Sequence, residues 1–178
     1  MSEQIRRRVL DAAEHCLLEY GYKARLHARI ARRAGLSRPT VYRHVGDQPA
    51  IVQALLQREF VRLWRRIEVT GGPLPQRMID AIVGVVQNGR RSPLLQKALT
   101  ECPEQVLPYL TMNAQPFIEQ TVAILTPYLQ HLPLNHRAVG EWVYRLTASL
   151  LITAGVVPTT TEDELRGFVS SLLSLPAA

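Results

Sequence analysis

Cysteine is nearly absent. The chain holds two, Cys16 and Cys102, and neither sits in a CxxC or Cys/His pair at metal-ligand spacing. That excludes a disulfide scaffold and a cysteine-built zinc site. Cys16 falls on the apolar stripe of the first helical pattern and is expected to be a small core residue. Strand patterning is missing too: no apolar–polar alternation, internal repeat or low-complexity segment occurs. No run of about 18 uncharged apolar residues is present, so no membrane span is expected. Ile5-Arg6-Arg7-Arg8 leads into an amphipathic segment rather than an apolar core, so no secretory leader is expected and the cytoplasm is the expected compartment. The five histidines, His15, His27, His44, His131 and His136, are too scattered for a helical i, i+4 ligand pair. No metal and no cofactor is therefore expected. HExxH, a glycine-rich phosphate loop and GxSxG are all lacking, and Ser149 has no neighbouring base in sequence. An enzyme is not expected.

Acidic residues are scarce in one part of the chain. Of 21 Lys and Arg, fourteen fall in residues 1–70, against seven of the 15 Asp and Glu, a net of +7 there. Residues 71–178 carry a net of −1. The basic surplus lies wholly in the first part, which favours a polyanion as its partner and something else for the second.

What is there centres on residues 27–46. Two short helical patterns flank Ala34-Gly35-Leu36-Ser37. Gly35 supplies the backbone freedom of a sharp turn. Ser37 is a good N-cap for the second helix, and Pro39 falls in its first turn, where a missing N–H costs nothing. Ile30, Ala31, Ala34, Leu36, Val41 and Val45 are expected to pack the two helices together, with Ala31 small enough for a close crossing. Arg38, Thr40, Tyr42, Arg43 and His44 then point outward. This is a helix-turn-helix with a basic, hydroxyl-bearing and aromatic reading head, suited to a major groove and its phosphates.

Around it the pattern is helical throughout. Ile5, Val9, Ala12, Ala13, Cys16, Leu17 and Tyr20 give a first helix one buried face, ended by Gly21. Arg6, Arg7 and Arg8 stand at its start, where the helix dipole disfavours cations. They are either frayed and solvated or used on a phosphate backbone. Asp47 can cap a fourth helix running to about Thr70, with Ile51, Leu55, Leu63 and Ile67 inward, until Gly71-Gly72-Pro73-Leu74-Pro75 breaks it. Met78 to Val86 mark a helix ending near Asn88-Gly89, and Ser92-Pro93 and Cys102-Pro103 open short ones. Asn113 is expected to cap the next, which Pro127 should end or kink. Asn135 opens a helix to about Ala154, apolar enough to be buried on most sides. Thr161 and Glu164 fit a capping box for a last helix ending near Leu175-Pro176.

Val9-Leu10-Asp11-Ala12-Ala13, Tyr20-Gly21-Tyr22, Ile30 to Ser37 and Arg38-Pro39-Thr40-Val41-Tyr42-Arg43-His44 together resemble the TetR family of bacterial transcriptional regulators. The likeness covers about the first 60 residues; the rest is similar in its all-helical layout and length. It implies an all-α chain with an N-terminal three-helix helix-turn-helix DNA-binding domain (1–48), a connecting helix (49–70) and a C-terminal helical ligand-binding and dimerisation domain (71–178). It also implies a homodimer on double-stranded DNA, at a palindromic operator, usually a repressor that a small molecule releases. The residues expected to meet DNA are His27, Arg38, Pro39, Thr40, Tyr42, Arg43 and His44. Met78, Tyr109, Met112, Phe117, Trp142 and Arg145 are the candidates for a largely apolar effector pocket. Arg145 is either a ligand anchor or the i+4 partner of Glu141. In three places the chain departs from the family's pattern. Arg25-Leu26-His27 replace the usual hydroxyl pair opening the second helix, Gln48 stands where a Lys is common, and Val45 where a Phe often follows the His. The competing reading is an all-helical dimeric module that binds a small molecule or protein and no DNA.

Overall fold

The computed structural model describes residues 2–67, 72–153 and 155–173, and every regular element among them is an α-helix. The helices are α1 (Ser2–Tyr20), α2 (His27–Ala34), α3 (Arg38–Val45), α4 (Gln48–Arg65), α5 (Leu74–Arg91), α6 (Pro93–Glu101), α7 (Pro103–Leu110), α8 (Gln115–Leu129), α9 (His136–Ile152) and α10 (Glu162–Leu173). The all-helical class expected from the missing strand pattern is the class found. Thr70, Gly71, Ala154 and Leu175-Pro176, named above as ends or breaks, lie outside the described residues.

Half of the helices begin where a polar side chain takes one of their orphan amides. Asp47 Oδ1 accepts the Ala50 N–H at 3.0 Å, Ser92 Oγ that of Leu95 at 3.2 Å, and Asn135 Oδ1 that of Ala138 at 3.1 Å. The capping box is complete: Thr161 Oγ1 accepts the Glu164 N–H at 3.2 Å, and Glu164 Oε2 accepts the Thr161 N–H at 3.0 Å. α8 departs from expectation. Ala114, not Asn113, precedes it, and no side chain caps it. The buried Ala114 carbonyl accepts the Phe117 and Ile118 amides, which sets the first turn one residue later. Pro127 does not end α8, which runs on to Leu129. Pro127 lies in the last turn, and the carbonyl it strands belongs to the exposed Ala123, where water can serve it.

The chain forms two compact units: the described residues of Met1–Val61 with Ser92–Tyr109, and those of Arg62–Arg91 with Leu110–Ala178. This differs from a single division at residue 71, because α6 and most of α7 join the N-terminal helices. In the first unit α1 packs on α2, α3 and α6, and the buried residues include its Val9, Ala13, Cys16 and Leu17 together with Leu26, Ile30, Val41, Ile51 and Leu55. The loop after α1 is tied to α6. The Tyr22 N–H donates to Glu101 Oε2 at 2.9 Å, and the buried Tyr22 hydroxyl donates to the Leu94 carbonyl at 3.2 Å. Burial pushes the Tyr22 phenol far above its ordinary range. Ser92, which caps α6, donates to Glu59 Oε1 of α4 at 2.7 Å inside the same unit.

In the second unit α9 packs on α5 and α8, and α10 on α5. α8 and α9 cross closely because Gly140 has no side chain. A Cβ there would stand 2.5 Å from Val122 Cγ2 and 2.8 Å from its Cα. Asp80 of α5 accepts from Arg166 of α10 at 2.7 Å, a pair with a buried carboxylate. α9 is not buried on most sides. Val143, Tyr144, Thr147 and Ala148 are buried, whereas Trp142, Arg145 and Ser149 are exposed and Leu146 is half-buried.

Candidate nucleic-acid interface

α2, the turn and α3 form the helix-turn-helix. Gly35 sits at φ 60°, ψ 41°, the left-handed region where a Cβ is penalised. Its N–H donates to the Arg32 carbonyl and that of Leu36 to Ala31, which closes α2. Ser37 Oγ accepts the Thr40 N–H at 3.3 Å and shares a 2.8 Å hydrogen bond with Thr40 Oγ1. Pro39 is the second residue of α3. Ile30, Ala31, Ala34, Val41 and Val45 are buried between the helices, and Leu36 is half-buried.

The face left outside is the one expected. Arg38, Pro39, Tyr42 and Arg43 are exposed, Thr40 and His44 half-buried. Tyr42 is a large aromatic at 51% exposure. Among the described residues Arg38 and Arg43 have no acidic partner, which leaves both guanidinium groups open to an anion. His27, half-buried at the start of α2, adjoins that face. Its ring stacks on Tyr42, centroids 4.0 Å apart and planes 8° from parallel, and its Nε2 lies 3.0 Å from the Gly46 carbonyl.

Two residues of α1 do what sequence reasoning did not foresee. Arg6 Nη1 donates to the His44 carbonyl at 2.8 Å, and Arg8 donates to the Ala34 carbonyl at 2.7 Å and to Gly35 at 3.2 Å. These bonds tie both side chains to the helix-turn-helix and leave further guanidinium N–H groups of each unused. Each places a cation on orphan carbonyls at the C-terminus of another helix, where the dipole favours it. Arg7 remains exposed. Gln48, in place of a Lys, donates to the Tyr22 carbonyl at 2.6 Å. Leu26 precedes α2 as a buried residue with no side-chain cap, as its sequence implied.

Residues 9–55, which contain α2, the turn and α3, match the model of the bacterial regulatory proteins of the tetR family. The helix-turn-helix part of the chain is thus similar to the DNA-binding region of that family. An uncharacterised HTH-type transcriptional regulator of Mycobacterium bovis is 34% identical over 92 residues, covering 52% of this chain and 48% of its own length. The chain thus spans about half the length of the curated relatives it matches. The solved structure of the TetR family repressor AlkX from Dietzia sp. strain DQ12-45-1b, implicated in biodegradation of n-alkanes, is similar with a TM-score of 0.71. Its identity is 24%, over 94% of this chain and 92% of that one. The R. erythropolis transcriptional repressor QsdR, also of the TetR family, matches with a TM-score of 0.71 at 20% identity, over 100% and 98% of the two chains. Both likenesses are likenesses of fold.

The second unit does not gather the six effector candidates. Met78 and Trp142 meet at an apolar groove of about 410 Å³ with Leu74, Leu134, Val139 and Leu173. Met78 also lines a narrower cavity of about 60 Å³ with Trp64, Ile67 and Leu125. Phe117 is buried and Met112 is 84% exposed. Tyr109 falls in the other unit. Arg145 is a surface residue, its side chain 70% exposed and bonded to Glu141 at 2.6 and 2.9 Å. Of its two readings, the ion pair is the one present. Among the described residues no group of His, Cys, Asp and Glu could hold a metal ion, and no helix is long and apolar enough to cross a membrane.

Proposed function

We propose that this chain is a sequence-specific DNA-binding transcriptional regulator that works as a homodimer on a palindromic operator. In this reading it represses and is released by a small, largely apolar molecule. One observation carries the reading: the solvent face of α3 holds two unpaired arginines and an exposed tyrosine on a helix fixed from behind. A face so arranged has a use in a major groove and none in a core. Arg38, at the start of α3, enters first and pairs with guanine through two hydrogen bonds. Thr40, Tyr42 and His44 suit phosphate oxygens beside the groove, and Pro39 abuts the backbone. The net +7 of residues 1–70 supports a polyanion partner. The apolar groove at Met78 and Trp142 supports an apolar effector.

The test is binding of the full chain to the DNA upstream of its own coding sequence and to a scrambled duplex. The upstream DNA should bind more tightly. Arg38→Ala should cost roughly 1–3 kcal/mol and relax preference at one base pair of each half-site. Tyr42→Phe should weaken both duplexes alike, because phosphates carry no sequence information. Equal affinity for both duplexes, unchanged by Arg38→Ala, refutes sequence reading by α3. For the effector, apolar metabolites should raise the thermal midpoint and lower DNA affinity; a panel that does neither removes that half of the proposal.

A further inference from the structure

We propose that His27 is a positioning residue for DNA recognition: it sets the plane of the Tyr42 ring and makes no DNA contact itself. This rests on the DNA-binding reading above. Tyr42 projects from the exposed face of α3, where a tyrosine ordinarily samples several rotamers. Here one face of the ring is covered by the imidazole, 4.0 Å away and within 8° of parallel. The imidazole is held in turn. A carbonyl only accepts, so Nε2 carries the proton and donates it to Gly46 at 3.0 Å. Gly46 closes the circuit, because its own N–H donates to the Tyr42 carbonyl at 2.8 Å. The first residue of α2, the ring of α3 and the residue ending α3 are thus locked to one another. His27 follows Leu26, the N-cap position that gives α2 no side-chain cap. Its side chain serves the neighbouring helix instead of its own.

A ring fixed in this way presents its hydroxyl in one direction before DNA arrives, so less side-chain freedom is lost on binding. A direct contact by His27 would make a different prediction. Its loss would then multiply with the loss of Tyr42. If His27 acts through Tyr42, its loss matters only while the tyrosine is there.

The experiment is a double-variant cycle on the full chain, with affinity measured for the upstream DNA at fixed salt and pH. His27→Ala should weaken binding about three- to tenfold, the range expected for one aromatic pair. In the Tyr42→Ala background it should change affinity less than about twofold. His27→Gln keeps an amide donor for Gly46 but no ring, and should bind as weakly as His27→Ala. His27→Phe keeps the ring and should bind within about twofold of wild type. Thermal midpoints of all variants identify any that do not fold, and the Gln and Phe variants then carry the test. Losses that multiply, or a Gln variant equal to wild type, overturn the proposal. The stack is also read without DNA: the Tyr42 ring protons should lose their ring-current shifts in His27→Gln and keep them in His27→Phe. Shifts lost with affinity unchanged overturn the positioning role alone. A wild-type chain that binds no DNA overturns the DNA reading, and this role with it.

Discussion

At the scale of single residues, the basic start of α1 carries the sharpest lesson. Arg6, Arg7 and Arg8 look misplaced because a sequence pattern judges each cation against its own helix. The carbonyls that Arg6 and Arg8 satisfy are those of His44 and Ala34, 38 and 26 residues away, and nothing local announces them. Arg8→Ala leaves the Ala34 carbonyl to solvent and removes a cation from a helix C-terminus. It should destabilise the chain by about 0.5–1 kcal/mol, the usual worth of such a contact. Arg7→Ala should change stability by no more than a few tenths, within the range of ordinary surface substitutions. Urea unfolding of the two variants decides it: equal midpoints would mean that the Arg8 bonds contribute nothing in solution. Arg145 gives the complementary case. Its place in a helix that reads as buried on most sides suggests a buried charge, but the helix leaves that side exposed and Glu141 sits one turn before it. The cost that made it look functional does not arise.

At the scale of elements, what was legible was what local chemistry decides. Gly35, Ser37 and Pro39 specify the turn and the start of α3, and Asp47, Ser92, Asn135 and Thr161 start four further helices, because each acts within a few residues of itself. Asn113 was misread since Ala114 offers a backbone solution that residue type does not reveal. The union of α6 with the N-terminal helices was illegible for the same reason as the Arg8 bonds. It depends on Tyr22 finding Glu101 and Leu94 across more than 70 residues. The effector candidates failed to converge because aromatic and flexible residue types mark either a core, as Phe117, or a surface, as Met112, and composition does not separate the two. The capping box of α10 offers an element-scale prediction. The Thr161 N–H, with that of Thr160, holds the Glu164 carboxyl below its ordinary 4.5, against a smaller opposing effect of burial. A carboxylate so held contributes stability above about pH 4.5 and loses it as the pH falls through its lowered value. Glu164→Gln should therefore melt earlier than wild type at pH 7, and the gap should close as the pH is taken below 4.5. A gap that stays constant down to pH 3 would show that Glu164 acts by something other than its charge.

At the scale of the whole molecule, charge and apolar surface set two demands that one chain alone does not meet. The basic surplus is confined to residues 1–70, yet one helix-turn-helix spans only part of a binding site. Meanwhile α9 leaves Trp142 39% exposed in the single chain, beside the half-buried Leu146 and the small Ser149. Large aromatics left in water on an otherwise packed helix are commonly covered by a partner. The homodimer proposed above would meet both demands, with a face of α9 and α10, where Ser170 and Ser171 permit close approach, joining the same face of its twin. Two reading heads about 34 Å apart then match one turn of DNA. Light scattering at micromolar concentration should give about twice the chain mass of 20.1 kDa. Trp142→Glu should shift it toward the single-chain value while leaving the far-ultraviolet dichroism unchanged. Salt supplies the independent check. Each phosphate neutralised adds about −0.9 to the slope of log affinity against log salt on duplex DNA. A dimer engaging both half-sites should show about twice the slope of the Trp142→Glu monomer on the same duplex. Equal slopes, with the wild type already at 20.1 kDa, would mean that a single head binds alone and that the exposed face of α9 belongs to some other contact.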